Sequence, residues 1–224
     1  MTLVIYETLE QGSDAWLAAR CGLVTASTIS KLITATLKVA ENETSRGLTL
    51  TLAAERMTGF VEYVHPSFEM QRGTDDEPMA RDMYAEHYAA VEQVGFMTRD
   101  FGSFVAGYSP DGLVGDEGLI EIKSRKAKEH MKTVLANQPP AENVGQLQMA
   151  LLISGRPWID YLSFSSGLEL WDKRVYPDPL WQAAILDALK AFEENAARMI
   201  DAYKTATDGK PVAPRIDHYE EMSF

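Results

Sequence analysis

SPDGLVGDEGLIEIKS, residues 109–124, decides how this chain reads. FVAGY at 104–108 and LIEIKS at 119–124 have strand-like apolar character, and the turns SPDG and GDEG separate them, so the segment predicts two strands of a meander. Side chains alternate along a strand, which sends Ile120 and Ile122 to one face and Leu119, Glu121 and Lys123 to the other. A carboxylate and an ammonium on a central strand are costly to desolvate unless they are paired or bound to an ion. A structural ion pair is the plain alternative. Asp111 stands ten positions before Glu121, at the end of the preceding strand; if the strands pair across the turn, both acids converge at one end of the sheet beside Lys123. With a backbone carbonyl such as that of Ile122, two carboxylates make a hard oxygen site of the kind Mg²⁺ prefers. A cation held there lowers the pKa of a bound water and stabilises a developing oxyanion, and a lysine alongside orients the water or neutralises charge. PDG alone is an ordinary turn. Joined to E-x-K on a strand, it points to phosphodiester hydrolysis.

The rest of the chain bounds this reading. The 224 residues are 46% hydrophobic and 24% charged, an ordinary globular balance, and they predict one domain over 1–224, which the chemistry of the acidic segment makes a single nuclease domain. One cysteine, Cys21, excludes an internal disulfide and a four-thiolate zinc or iron–sulfur site. The chain has no apolar run of membrane-spanning length, and its start, MTLVIYETLEQG, has neither a basic leader nor a following apolar stretch of signal-peptide length, so an intracellular, non-membrane protein is expected. The net charge of −12 argues against a nonspecific nucleic-acid binder, yet KSRKAKEHMK at 123–132 holds five basic residues against one acid. His65, His87, His130 and His218 show no ligand spacing and read as structural or surface residues.

Periodicity predicts two short helices over 11–35, the first capped by Ser13 or Asp14 and ended by Gly22, the second opened by Thr25 or Ser27. Further helices are expected over 44–58, over 74–94 with Pro78 in the first turn, and over 143–153. A hairpin turning at Ser165–Gly167 and a long helix with Asp178 as cap and Pro179 in its first turn complete the chain. The result is an α/β layout, a small central mixed sheet flanked by helices.

SPDGLVGDEGLIEIKS looks like the PD-(D/E)xK nuclease signature. The chain as a whole resembles the lambda-exonuclease-like group of phage recombination nucleases, the YqaJ-type viral recombinases. EQGSDAWLAARCGLVTASTIS (10–30) is similar to that group's N-terminal motif, RGTDDEPMARDMY (72–84) to its G-x-x-x-E helix, and VGQLQMALLISG (144–155) to the Q-x-Q helix that follows E-x-K. The resemblance implies a restriction-endonuclease-like core in which Asp111, Glu121 and the Ile122 carbonyl hold the metal and Glu77 joins them. It also implies that Lys123 and Gln148 position the attacking water. Gln146 and Gln148 lie about 200° apart around a helix, so both cannot enter one site; the family pattern favours Gln148 and leaves Gln146 to pack nearby. Arg20, Ser27 and Ser109 would hold a 5′-terminal phosphate, and Met70, before a Gln71–Gly73 turn, would be a candidate for an apolar wedge between separating bases. Lys38, Arg46, Arg125, Lys126, Lys128 and Lys132 are candidates for duplex phosphate contacts.

The activity implied is Mg²⁺-dependent, with Mn²⁺ able to substitute. It removes 5′-mononucleotides from the ends of linear double-stranded DNA in the 5′-to-3′ direction, leaving 3′ overhangs for recombination by single-strand annealing. The resemblance also implies a homotrimeric ring, an annealing protein as partner, and a bacterial cytoplasm reached through a phage or prophage. The rival readings are a restriction- or repair-type endonuclease and a noncatalytic DNA-end-binding accessory protein.

Overall fold

The computed structural model describes residues 2–62 and 64–216; His218 lies outside them. Two small sheets form the frame of the described residues. The first orders β1 (Thr2–Tyr6), β2 (Phe96–Asp100) and β3 (Val105–Tyr108) as an antiparallel sheet. The second orders β4 (Gly112–Val114), β5 (Gly118–Ser124), β6 (Trp158–Phe164) and β7 (Trp171–Val175), with β5 and β6 parallel and the outer pairs antiparallel. Only Ser109, Pro110 and Asp111 separate β3 from β4. The expected meander is thereby corrected: β3 pairs with β2, and the partner of β5 across the GDEG turn is the short β4, with Gly112 opposite Ile120.

β5 lies inside its sheet, so its residues through Ile122 are buried whichever face they take. Leu119 packs into the larger core with Leu147, Ile159 and Ile185, while Ile120 and Ile122 pack on the opposite face with Ala80, Tyr84 and Leu162. Glu121 and Lys123 belong to the Leu119 face by alternation.

Among the described residues six α-helices surround the sheets: α1 (Asp14–Arg20), α2 (Glu43–Thr58), α3 (Phe68–His87), α4 (Ala127–Ala136), α5 (Ala141–Ser154) and α6 (Pro179–Ala206). The caps read from sequence at both ends are present: the Ser13 side chain accepts from Trp16 N–H and the Asp178 side chain from Leu180 N–H, with Pro179 opening α6. α4 and α5 form the crossover that parallel β5 and β6 require.

Three expectations are corrected. Thr25 and Ser27 open no α-helix: Val24–Ala26 runs extended along the free edge of β3, with Ala26 N–H donating to Gly107 O at 2.9 Å and Gly107 N–H to Val24 O at 3.0 Å, and only a 3-10 turn at Ile29–Lys31 follows. Backbone pairing with β3 outweighs the weak tendency of so short a segment to coil. Second, α3 starts at Phe68 under a Ser67 cap, so Pro78 lies in its interior. Its missing N–H is tolerated because the helix is fastened on both sides of it, by Arg72 Nε donating to Ser124 Oγ at 3.0 Å and Tyr84 Oη donating to Asp160 Oδ2 at 2.7 Å. Third, Gln71–Gly73 is therefore helical rather than a turn, and Met70 sits exposed in the first turn of α3.

Candidate active site

β4 begins at Gly112 opposite Ile120, so past Ile120 β5 has, among the described residues, no strand partner on its β4 side. Asp111, directly before β4, fills the gap: its Oδ2 accepts from Ile122 N–H at 2.6 Å. In a pleated strand the N–H and C=O of one residue project to the same edge, so the Ile122 carbonyl points to this same unpaired side. Glu121, 1% exposed, is held at both oxygens. Oε1 accepts from Lys123 Nζ at 2.8 Å and from Gln146 Nε2, and Oε2 accepts from Tyr108 Oη at 3.2 Å. Glu77, on α3, forms an ion pair with Arg81 one turn later, and Arg81 Nε donates to the Asp111 carbonyl at 2.8 Å. Arg81 also donates to the Gln93 amide oxygen in the amide orientation that satisfies both of that group's atoms.

The acids sense one another. Burial, then the Glu121 and Glu77 charges, push the Asp111 carboxyl well above its ordinary range, against the pull of Lys123 and the Ile122 N–H. Burial also raises Glu77, with Arg81 opposing and Glu121 adding to the rise. For Lys123 burial favours the neutral amine, but the Glu121 and Asp111 charges outweigh it and hold the ammonium above its usual value. Mutual repulsion among buried carboxylates is the electrostatic signature expected where a cation belongs. Among the described residues, no three His, Cys, Asp or Glu side chains are gathered closely enough to hold a metal by themselves. The donor set that fits a hard cation is thus Asp111, Glu121 and the Ile122 carbonyl, with Glu77 alongside and water completing the shell.

A second pocket, a cavity of about 170 Å³, adjoins these acids and is lined by Trp16, Arg20, Thr25, Ser27, Ser109 and Gln146 among others. Docking of Val24–Ala26 on β3 brings these together, because Ser109 follows β3 and Arg20 ends α1. Arg20 Nη1 and Trp16 Nε1 both donate to Ser109 Oγ at 2.9 Å, and the Arg20 guanidinium stacks 4.0 Å from the Trp16 ring centre. No carboxylate pairs with Arg20 among the described residues; burial lowers its pKa to about 10, with Glu55 opposing. A desolvated guanidinium beside neutral hydroxyls is a receptor for an anion. Ser27 Oγ lies 3.2 Å from Thr25 Oγ1, so it reaches the pocket, but without the helix N-terminus expected beside it. A larger cleft of about 690 Å³ opens on the other side of Trp16, lined by Glu77, Arg81, Gln93, Pro110 and Asp111 among others.

The structure brings Asp111, Glu121, Ile122, Lys123 and Glu77 into one site, with Arg20, Ser27 and Ser109 in the adjoining pocket. Gln148 is corrected: it is buried, its Nε2 donating to Tyr176 O at 2.9 Å and its Oε1 accepting from Asp178 N–H at 2.7 Å, so it fastens α5 to the entry of α6. Gln146 is the glutamine that faces Glu121. Arg125 is likewise committed internally, to Tyr161 Oη at 3.0 Å and to the Asn143 side chain, rather than free to meet DNA phosphates. Met70 itself lines neither cavity, though Thr74, one turn further along α3, lines the larger cleft described above. Sequence reasoning missed Tyr108, Arg81 and the Trp16 indole as members of the site. Tyr108 was the most accessible of these, since it immediately precedes Ser109 in the strand feeding Asp111.

An E-x-K strand with an aspartate on its open edge and a helical glutamate above it define a PD-(D/E)xK nuclease fold. The chain belongs to the YqaJ-like viral recombinase domain family, whose model matches residues 15–157. It is similar to an alkaline exonuclease, LHK-Exo, from Laribacter hongkongensis, with 32% identity and a TM-score of 0.76 over 87% of this chain and 97% of that one; the structure of that enzyme in complex with dAMP gives the same figures. A phage-related exonuclease from Haemophilus somnus shares the fold at 14% identity and a TM-score of 0.58, over 81% of this chain and 96% of that one. No curated protein matches the chain. Family and neighbours together make it a nuclease.

Proposed function

We propose that this chain is a divalent-metal-dependent 5′-to-3′ exonuclease on linear double-stranded DNA. In this reading it releases 5′-mononucleotides and leaves 3′ overhangs for recombination by single-strand annealing. The observation that carries the reading is the pairing of two pockets through one short segment: Ser109 closes an anion pocket with Arg20, and Asp111, two residues on, belongs to the acidic site. An enzyme that anchors a terminal phosphate in the first and cleaves at the second has a built-in polarity.

Mg²⁺, or Mn²⁺ in its place, would be held by Asp111, Glu121 and the Ile122 carbonyl with Glu77 nearby, and supplies water activation and charge neutralisation on the phosphoryl oxygens. The chain's own residues do the rest. Arg20 binds the terminal phosphate through its planar fork while Ser109 and Ser27 contribute hydroxyls. Lys123 presents an ammonium to the scissile phosphate and steadies Glu121. Gln146 and Tyr108 fix the Glu121 carboxylate, so its orientation is set before substrate arrives. A homotrimeric ring, an annealing protein as partner and a phage or prophage setting in a bacterial cytoplasm belong to the same proposal. No helix among the described residues is long and apolar enough to cross a membrane.

The test is digestion of linear duplexes with 5′-phosphate or 5′-hydroxyl ends and of closed circles, with Mg²⁺, with Mn²⁺ and with chelator. Metal-dependent release of mononucleotides from phosphorylated ends, with circles spared and Lys123→Ala inactive, is the expected result. Nicked circles would establish an endonuclease, and binding of ends without cleavage a noncatalytic role.

A further inference from the structure

α2 grips the corner after α1 at two successive residues, Cys21, whose Sγ donates to Glu55 O at 3.3 Å, and Gly22. Gly22 N–H donates to Glu55 Oε2 at 2.7 Å, and Gly22 C=O accepts from Arg56 Nε at 2.8 Å. Gly22 has φ +69°, and a Cβ there would lie 2.3 Å from Arg56 Cγ, so both the backbone conformation and the approach of the arginine stem require glycine. The two Nη atoms of Arg56 fork onto Glu193 of α6 at 2.6 and 2.7 Å, and its guanidinium lies 5.0 Å from the Phe192 ring centre. One planar group therefore bonds α6 and the Gly22 corner together and cannot turn without loosening one of them. Gly22 is two residues from Arg20, whose C=O accepts from Leu23 N–H at 3.0 Å, so the corner is tied to the end of α1.

This arrangement answers a chemical difficulty. A carboxylate placed directly on Arg20 would compete with an incoming phosphate for the same N–H groups. Arg20 is instead held at its side chain by the neutral Ser109 hydroxyl and the Trp16 face, while Glu55 bonds the Gly22 N–H and Glu193 bonds Arg56, neither of them bonded to the Arg20 guanidinium. We propose that the Arg56–Glu193 pair, outside the pocket, positions Arg20 and thereby sets the preference for 5′-phosphorylated ends. The proposal rests on the reading of the Arg20 pocket given above.

The experiment compares initial rates of the full chain on duplexes that differ only in a 5′-phosphate or 5′-hydroxyl, for wild type, Glu193→Gln, Glu193→Asp, Arg56→Lys and Arg20→Ala, with thermal midpoints recorded for each. Glu193→Gln and Arg56→Lys are expected to raise KM for phosphorylated ends about tenfold while kcat holds, so that the phosphate preference falls. Glu193→Asp, which keeps the charge, should recover part of it. A general loosening of the fold would slow both substrates alike and would overturn the assignment. So would a wild-type preference in Glu193→Gln and Arg56→Lys when Arg20→Ala has lost it, and that result leaves the pocket reading standing. If Arg20→Ala keeps the preference, the pocket reading falls and the clamp falls with it.

Discussion

Replacing Gln148 and Gln146 by alanine, one at a time, separates a structural glutamine from a site glutamine two residues away. Gln148 is 2% exposed and bonds Tyr176 O and Asp178 N–H; truncation removes both bonds and leaves a small void in the α5–α6 interface. The bond to Tyr176 O is only partly buried, which sets the cost at about 2–3 kcal/mol rather than the upper end for buried polar groups. For a chain of this size that corresponds to a fall of about 4–12 °C in thermal midpoint. Gln146 is only half-buried and its amide serves Glu121, so Gln146→Ala should leave the midpoint within about 2 °C and lower kcat about tenfold or more. Differential scanning fluorimetry and a metal-supplemented nuclease assay on the two variants read both quantities. A Gln148→Ala protein with wild-type midpoint and no activity, beside an active Gln146→Ala protein, would refute the reasoning.

Other consequences are open to direct measurement. Lys128→Ala, which removes an exposed cation on α4, should reduce the salt dependence of DNA binding by about one unit of slope, whereas Arg125→Ala should chiefly lower the thermal midpoint, because Arg125 serves Tyr161 and Asn143. Gly95→Ala should be strongly destabilising by thermal melting, since a Cβ there would lie 1.8 Å from the Leu9 carbonyl oxygen and backbone would have to move. Burial depresses the pKa of His130 below its ordinary 6.5, with Glu169 opposing. The unfolded chain then binds the extra proton first, so this contribution to stability is complete above that value and declines as pH falls below it. Melting curves from pH 7.5 to pH 5 should show a steeper loss in wild type than in His130→Gln.

The acidic site was legible because period-two alternation is rigid: once LIEIKS is a strand, Glu121 and Lys123 must share a face. The order of Asp111, turn and E-x-K was equally informative, although the pairing that makes them meet runs through β4 rather than through the strand that looked stronger. What escaped was phase. Which of Gln146 and Gln148 faces Glu121 depends on how α5 is rotated against the sheet, and that rotation is fixed by distant residues, Tyr176 and Asp178, that no local pattern connects to it. The Thr25–Ser27 segment failed for a related reason, since its conformation is decided by backbone bonds to Gly107. β1 was overlooked because an edge strand with Val4, Ile5 and Tyr6 exposed lacks the alternation that marks a half-buried one. Pro78 misled because proline in a first turn is the common case, and tertiary fastening of α3 overrode it.

The three residues between the sheets set a length. Ser109 closes one pocket and Asp111 belongs to the other, and two steps of chain span at most about 7 Å. Because β3 and β4 are anchored in different sheets, neither end of that span can drift without dragging a sheet with it. If the first pocket takes a terminal phosphate and the second the bond to be cut, the polypeptide works as a measuring gauge whose unit is a single nucleotide. The size of each excised product would then be written into the loop length rather than into any contact with a base.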